Sequence, residues 1–207
     1  MKPEEWRAAD VSRETHQRLE AYVQALLKWS KTINLVAKST QADIWNRHIL
    51  DSAQLYRHAP PEFRRWCDMG SGGGLPGIVV AILSKEQIPD ASFTLIESDA
   101  RKAAFLATIS RELDLPVTVK RARLEEADPA DADIVSARAL APLPLLLSYC
   151  HRHMSAGGIA LLPKGRNHAQ EVEAAQQSWH FDYATRPSQA DPDSTILIVR
   201  DLRPLDI

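Results

Sequence analysis

Asp68-Met69-Gly70-Ser71-Gly72-Gly73-Gly74-Leu75-Pro76-Gly77 is the stretch around which the rest of the chain organises. The residues leading into it, Arg65-Trp66-Cys67-Asp68-Met69, read as a strand. Those that follow, Pro76 to Ser84, read as a helix with a proline in its first turn, where the missing N–H costs nothing. Glycine has no Cβ, so the turn between them can take positive φ and let a ligand approach the backbone. The first turn of the following helix also exposes unpaired N–H groups. Four glycines within residues 70–74 exceed what a bare strand–helix turn requires. The stretch therefore predicts a site for a ligand carrying adenosine and a polar tail.

Outward from this loop the chain alternates strand-like and helix-like runs. Strands are predicted over 93–97, 117–120, 132–136, 159–162 and 195–200, with helices over 101–113, 143–153 and 169–177. Alternation of this kind implies parallel βαβ units and a doubly wound α/β sheet. Ligands then bind at the carboxyl edge of the strands, where Gly70–Gly77 would lie. The first part of the chain reads as helical instead. Leu19, Tyr22, Val23, Leu26 and Leu27 recur at helical spacing. A second helix is predicted from Ser39 or Thr40, with Asp43 completing a capping-box-like pattern, until Pro60-Pro61 stops it. Residues 1–65 are thus expected to form a helical extension and 66–207 the α/β domain.

Composition narrows the class. The formal charge is −2 over 207 residues, so no global basic signal points to nucleic acid. The distribution is less even: residues 1–66 carry 11 Lys/Arg against 8 Asp/Glu, and no acid occurs from Ile134 to Gln170. Arg138, Arg152, Lys164 and Arg166 fall inside that stretch, with His151, His153 and His168, and could build an RNA-facing surface. The opening MKPEEWRAAD is too polar and acidic for a secretory signal, and no apolar run is long enough to span a membrane, so a cytoplasmic protein is expected. Cys67 and Cys150 form neither a disulfide framework nor a zinc-type pair; both read as buried thiols, and no metal site is expected.

The loop alone does not choose its cofactor. Gly72 to Gly77 satisfies the dinucleotide fingerprint G-x-G-x-x-G, and Glu97 lies 20 residues beyond, at the distance of a ribose-binding acid. Three features favour S-adenosyl-L-methionine over a nicotinamide. Asp68 starts the D-x-G-x-G pattern of class I methyltransferases. Glu97 ends the second strand, where a carboxylate can accept both ribose hydroxyl protons. No separate substrate domain remains, and no tyrosine is followed four residues later by lysine.

Further segments carry a family resemblance. They are Lys28-Trp29-Ser30-Lys31-Thr32-Ile33-Asn34-Leu35, Arg47-His48-Ile49-Leu50-Asp51-Ser52, the glycine loop with Ile78, Leu95-Ile96-Glu97-Ser98 with Arg101-Lys102, Arg123-Leu124-Glu125-Glu126, Ser136-Ala137-Arg138-Ala139 and Lys164-Gly165. In this order, over nearly the whole chain, they resemble the ribosomal RNA small subunit methyltransferase G family, also called glucose-inhibited division protein B. Ser30, where many relatives have Asn, and the spacing around Ala137 depart from the pattern. The resemblance implies a class I, Rossmann-like methyltransferase: a doubly wound, mostly parallel seven-stranded sheet with an N-terminal helical extension. It implies a monomer that uses S-adenosyl-L-methionine to methylate N7 of a guanine in the decoding-region loop of 16S rRNA, free or within the small ribosomal subunit. It places cofactor contacts at Gly70, Leu75, Leu124, Glu125 and Arg138.

The chemistry fits by omission. Guanine N7 offers an in-plane lone pair and has no proton to lose, so no general base is needed. The chain has no Asn-Pro pair for exocyclic amines and no Pro-Cys nucleophile for pyrimidines. After the fourth predicted strand it has Arg138, which could hold guanine O6 or a phosphate, or pair with the carboxylate tail of the cofactor. Arg138 and Arg123 are the catalytic candidates. Gly70, Gly72, Leu75, Glu97, Leu124, Glu125 and Arg138 are the expected cofactor contacts, and Lys164, Arg123 and Arg166 the expected RNA contacts. His48 reads as a core histidine on an apolar helix face, and Trp29 and Trp45 as packing residues.

Overall fold

A computed structural model describes residues 11–205 of the chain. The MKPEEWRAAD segment, residues 1–10, lies outside the described residues. Among the described residues no helix is long and apolar enough to cross a membrane.

The core is a seven-stranded sheet. Its strands are β1 (Arg65–Met69), β2 (Ser92–Ile96), β3 (Val117–Lys120), β4 (Ala132–Ser136), β5 (Met154–Lys164), β6 (Trp179–Pro187) and β7 (Thr195–Pro204), in the order β3-β2-β1-β4-β5-β7-β6. β1 to β5 pair in parallel, whereas β7 runs antiparallel to β5 and β6 antiparallel to β7. The expected doubly wound, mostly parallel sheet is therefore present. Helices cover both faces, so alternate side chains of one strand enter two separate apolar clusters. Trp66, Ile134, Leu161 and Ile198 enter one. Cys67, Val135, Leu162 and Val199 enter the other. Strands buried on both sides read as continuous apolar runs, which is why they were legible in the sequence. Cys67 and Cys150 are buried free thiols.

The helices of the sheet are α3 (Gly77–Ser84), α4 (Ala100–Glu112), α5 (Leu143–His153) and α6 (His168–Ala175), following α1 (Arg13–Trp29) and α2 (Asp51–Tyr56) of the N-terminal part. The α1 N-cap is Ser12, whose side chain accepts the Thr15 N–H at 3.0 Å. Leu19, Tyr22, Val23 and Leu26 line its buried face and join the same cluster as Ile78 and Phe105. The N-terminal helices thus share the core of the sheet.

Two local expectations differ from the structure. No capping box starts the second helix. Residues Lys38–Asp43 wind as a 3₁₀ turn, Trp45–Leu50 as a π-helix, and only Asp51–Tyr56 as α-helix. The Thr40 hydroxyl bonds to Ala37 O and to His48 instead of capping. Strand β6 leaves no signal in the sequence, because it is an edge strand. Phe181 is its one fully buried side chain, so Trp179–Pro187 carries no period-two signal.

Candidate active site

The carboxyl edge of β1 is built around a buried acid. Asp68 has no exposed surface. Its Oδ2 accepts the Gly77 N–H at 3.2 Å and its Oδ1 accepts the Ser136 hydroxyl at 2.7 Å. Ser136 in turn accepts the indole N–H of Trp66 at 2.8 Å. Burial pushes the Asp68 carboxyl up to about 6, against the bonds from Ser136, Ser71 and Gly77 and the Arg138 charge. Asp68 thereby ties the start of α3 to β1 and β4. A Cβ on Gly77 would sit 2.8 Å from Asp68 Oδ2, so only glycine fits there.

The loop is braced on two further sides. The Tyr22 hydroxyl, from α1, donates to Gly73 O at 2.6 Å. Burial pushes that phenol far above its usual range. Glu97, just past β2, accepts the Gly72 N–H at 2.8 Å and the Asp99 N–H at 2.7 Å. A carboxylate has about four acceptor positions, so two remain for hydroxyl donors.

A cavity of about 410 Å³ opens beside this loop. Gly70, Gly72 and Glu97 line it from the β1 and β2 side, Arg123, Leu124 and Glu125 from the segment after β3, and Arg138 from the segment after β4. These residues lie far apart in the sequence and meet only in the fold. A Cβ on Gly70 would come 2.5 Å from Leu140, another wall residue. Leu75 does not line the cavity; it is buried in the apolar cluster behind the loop. Lys102 and Tyr149 also line it; neither is among the site residues expected from the sequence, although Lys102 belongs to a segment that carries the family resemblance. Leu124 and its neighbours are held from behind. His153 Nε2 donates to Leu124 O at 3.0 Å, and Arg152 donates twice to Ala127 O, at 3.1 and 2.8 Å.

Arg138 stands between this cavity and a second one of about 330 Å³, which it shares with Asp51 and Lys164. Its NH1 donates to Asp51 Oδ2 at 3.2 Å and to Arg47 O at 3.4 Å. Its NH2 lies 3.1 Å from His48 Nδ1. Burial pushes the Asp51 carboxyl up, opposed by the Arg138 charge and by bonds from Arg138 and Gln54.

The acid-free stretch 134–170 does not form one basic face. Arg152 and His153 are spent on backbone carbonyls of residues 124–127. Lys164, expected at a phosphate, turns inward. Its ammonium donates to Glu171 Oε2 at 2.7 Å and to Ala141 O at 3.2 Å, with 8% of the side chain exposed. Its partner Glu171 lies one residue beyond the stretch, where counting charges does not find it. Arg166 remains exposed, paired with Asp193 at 2.5 Å, and Arg123 is exposed at the cavity rim. His48 is buried as expected, but its ring engages Arg138 rather than apolar neighbours alone.

Residues 15–191 match the family model described as rRNA small subunit methyltransferase G. The chain belongs to this family. It is therefore a methyltransferase, as the resemblance implied. A protein named ribosomal RNA small subunit methyltransferase G from Cereibacter sphaeroides is 49% identical over 193 residues, covering 93% of this chain and 94% of its own. The protein of the same name from Paracoccus denitrificans is 50% identical over 194 residues, covering 93% and 98%. Among solved structures, the 16S rRNA methylase RmtB superposes with a TM-score of 0.56 at 17% identity, covering 93% of this chain and 76% of its own. TYW2 from M. jannaschii, solved in complex with AdoMet, gives a TM-score of 0.56 at 14% identity, covering 76% of each chain. Likeness at that level of identity shows the fold alone.

Proposed function

We propose that the chain transfers a methyl group from S-adenosyl-L-methionine to N7 of a guanine in the decoding-region loop of bacterial 16S rRNA. The observation that carries this reading is the convergence of the glycine loop, Glu97 and Arg138 on one cavity at the carboxyl edge of β1, β2 and β4. The donor set fits the cofactor group by group. Glu97 has acceptor positions left for ribose hydroxyls, Ile96 and Leu124 offer apolar surface to adenine, and Gly70 and Gly72 let the chain come close. Arg138 and Lys102 offer cations to a carboxylate tail.

When bound, the donor supplies a methyl group already activated on a sulfonium. The protein then has to bind, orient and exclude water, since proximity and alignment are the larger part of such a displacement. No residue needs to take a proton, because N7 has none. Methylation makes the purine cationic, so a bare cation beside N7 would oppose the reaction. Arg138 is ion-paired with Asp51 at 3.2 Å, which reduces that opposition, and the N–H groups not engaged by Asp51, Arg47 O and His48 remain for the donor's tail. Arg123 and Arg166, both exposed, are assigned to RNA phosphate, which positions the strand without reading its sequence. Lys164 is left out of that assignment because its ammonium is buried in its pair with Glu171, whereas the Arg166–Asp193 pair lies in solvent, where it is weak and open to exchange with a phosphate. The substrate is 16S rRNA, alone or in the small subunit, and the enzyme is assigned to the cytoplasm as a monomer.

Two measurements test the reading. Titration calorimetry should show saturable micromolar binding of S-adenosylhomocysteine and none of NAD; the reverse pattern refutes the cofactor. Reverse-transcription mapping of 16S rRNA from a deletion strain should show loss of one N7-methylguanine, restored by the wild-type gene and not by Arg138→Ala. A modification that persists in the deletion strain refutes the substrate.

A further inference from the structure

We infer that His48 is a positioning residue for methyl transfer: its ring, held in one tautomer by Thr40 through a directed chain of hydrogen bonds, aims the Arg138 guanidinium between the two cavities. The inference rests on the proposed role of Arg138 in methyl transfer.

The direction of every bond in the chain follows from donor and acceptor identity. A guanidinium only donates. Arg138 NH2 lies 3.1 Å from His48 Nδ1, so Nδ1 must present its lone pair. A neutral imidazole that accepts at Nδ1 carries its proton at Nε2. Nε2 lies 2.7 Å from Thr40 Oγ1, which must then accept. Thr40 is left with its own proton, and Ala37 O receives it at 2.9 Å. The order Arg138 to His48 to Thr40 to Ala37 leaves no bond ambiguous, and the ring that carries it is 8% exposed.

The other guanidinium nitrogen, NH1, is held by Asp51 and by the Arg47 carbonyl. Three residues of one short helical run, 47, 48 and 51, therefore grip a side chain that comes from the segment just after β4. Asp51 supplies charge, but charge alone leaves a guanidinium free to rotate. The neutral ring supplies the second direction. The charged groups around His48 are Arg138 after β4, Arg47 and Asp51 on its own run, and Asp43 from the 3₁₀ turn. A proton on Nδ1 would set a donor against a donor beside two arginines. Burial first, then Arg138 and Arg47, accordingly hold the imidazole down at about 4, with Asp43 opposing. The N-terminal segment, which contributes no strand among the described residues, thus sets the aim of a cofactor-side cation.

The test is a double-mutant cycle. His48→Phe keeps the ring and removes the acceptor; His48→Asn retains an acceptor oxygen near the Nδ1 position. S-adenosylhomocysteine affinity and methyl-transfer rate are measured for each, alone and with Arg138→Ala, with thermal unfolding as the check on folding. His48→Phe should weaken binding or rate by on the order of tenfold or more. His48→Asn should stay within a few-fold of wild type. In the Arg138→Ala background neither substitution should add a loss, whereas equal losses in both backgrounds would make His48 merely structural and overturn the inference. Should His48→Phe fail to fold, ¹⁵N-histidine NMR of the wild-type protein decides without any variant. Nδ1 unprotonated and Nε2 protonated at neutral pH supports the chain, and the other tautomer overturns it. If Arg138→Ala itself leaves affinity and rate intact, the role of Arg138 fails. If it abolishes them while His48→Phe does not, the inference about His48 fails alone.

Discussion

Glu97→Gln tests the arrangement on which the cofactor site depends. The carboxylate accepts two backbone N–H groups, Gly72 at 2.8 Å on Oε2 and Asp99 at 2.7 Å on Oε1. A glutamine amide keeps one oxygen and turns its NH₂ toward the other donor, whichever way it is flipped. One charge-assisted bond is therefore lost, at about 1.5–3 kcal/mol, and an N–H is set against an N–H. For a domain of this size each kcal/mol moves the melting midpoint by about 2–4 °C, so the variant should melt roughly 3–12 °C lower. The ribose hydroxyls would lose an acceptor of the same kind, which corresponds to about a 10- to 150-fold weaker Kd for S-adenosylhomocysteine. Differential scanning fluorimetry and titration calorimetry measure the two effects separately. A lower midpoint with Kd unchanged within about threefold would mean that Glu97 only braces the loop. No change in either would refute both the bracing role of Glu97 and its place in the cofactor site.

Ser136→Ala should cost about 2–4 kcal/mol in urea unfolding, since it strands the buried Trp66 indole N–H and one oxygen of buried Asp68 together; a cost below about 1 kcal/mol contradicts that chain. Tyr22→Phe should cost about 1–3 kcal/mol and weaken S-adenosylhomocysteine binding, because Gly73 O loses its donor inside the protein. Equal binding by the variant would detach the N-terminal helix from the function of the loop. The pH dependence of stability should carry a His48 component. The folded imidazole is held at about 4 by burial, Arg138 and Arg47, while the unfolded chain titrates near 6.5. Between those values the unfolded chain takes up a proton that the folded chain refuses, so stability falls as pH drops from about 6.5 toward about 4. Asp68, raised to about 6 by burial, works in the opposite sense, its charge costing stability as pH rises through that value. The measurement is therefore the difference between wild type and His48→Asn, which should lose the acid-side decline; identical slopes contradict the assignment.

Much of this was legible before any fold was known, for reasons that can be located. The α5 boundaries at Leu143 and His153 agree with the expectation because an apolar face and a flanking proline act locally. β6 escaped because an edge strand buries too little to leave a pattern. The Thr40 region escaped because its hydroxyl answers to His48, eight residues away, rather than to its own helix. Tyr22 sat on the apolar face of α1 as predicted, and nothing in that periodicity could show that its hydroxyl meets Gly73, 51 residues later.

The amino-acid sequence on its own determined the inner strands of the sheet, the loop and the class of ligand. Strands buried on both faces, a glycine turn and an acid at the next strand end are consequences of backbone sterics and of residues near one another along the chain. Only the tertiary structure decided which charges are available. Lys164 looked like a free cation and is not, because Glu171 reaches it across the packing of α6 and β5; Arg152 keeps its charge, but its Nε and NH2 are turned onto Ala127 O. Arg138, a catalytic and cofactor-contact candidate from the sequence, is gripped by Asp51 and His48 from 87 and 90 residues away. A charge acts through what lies within a few ångströms of it, and that distance is set by the fold.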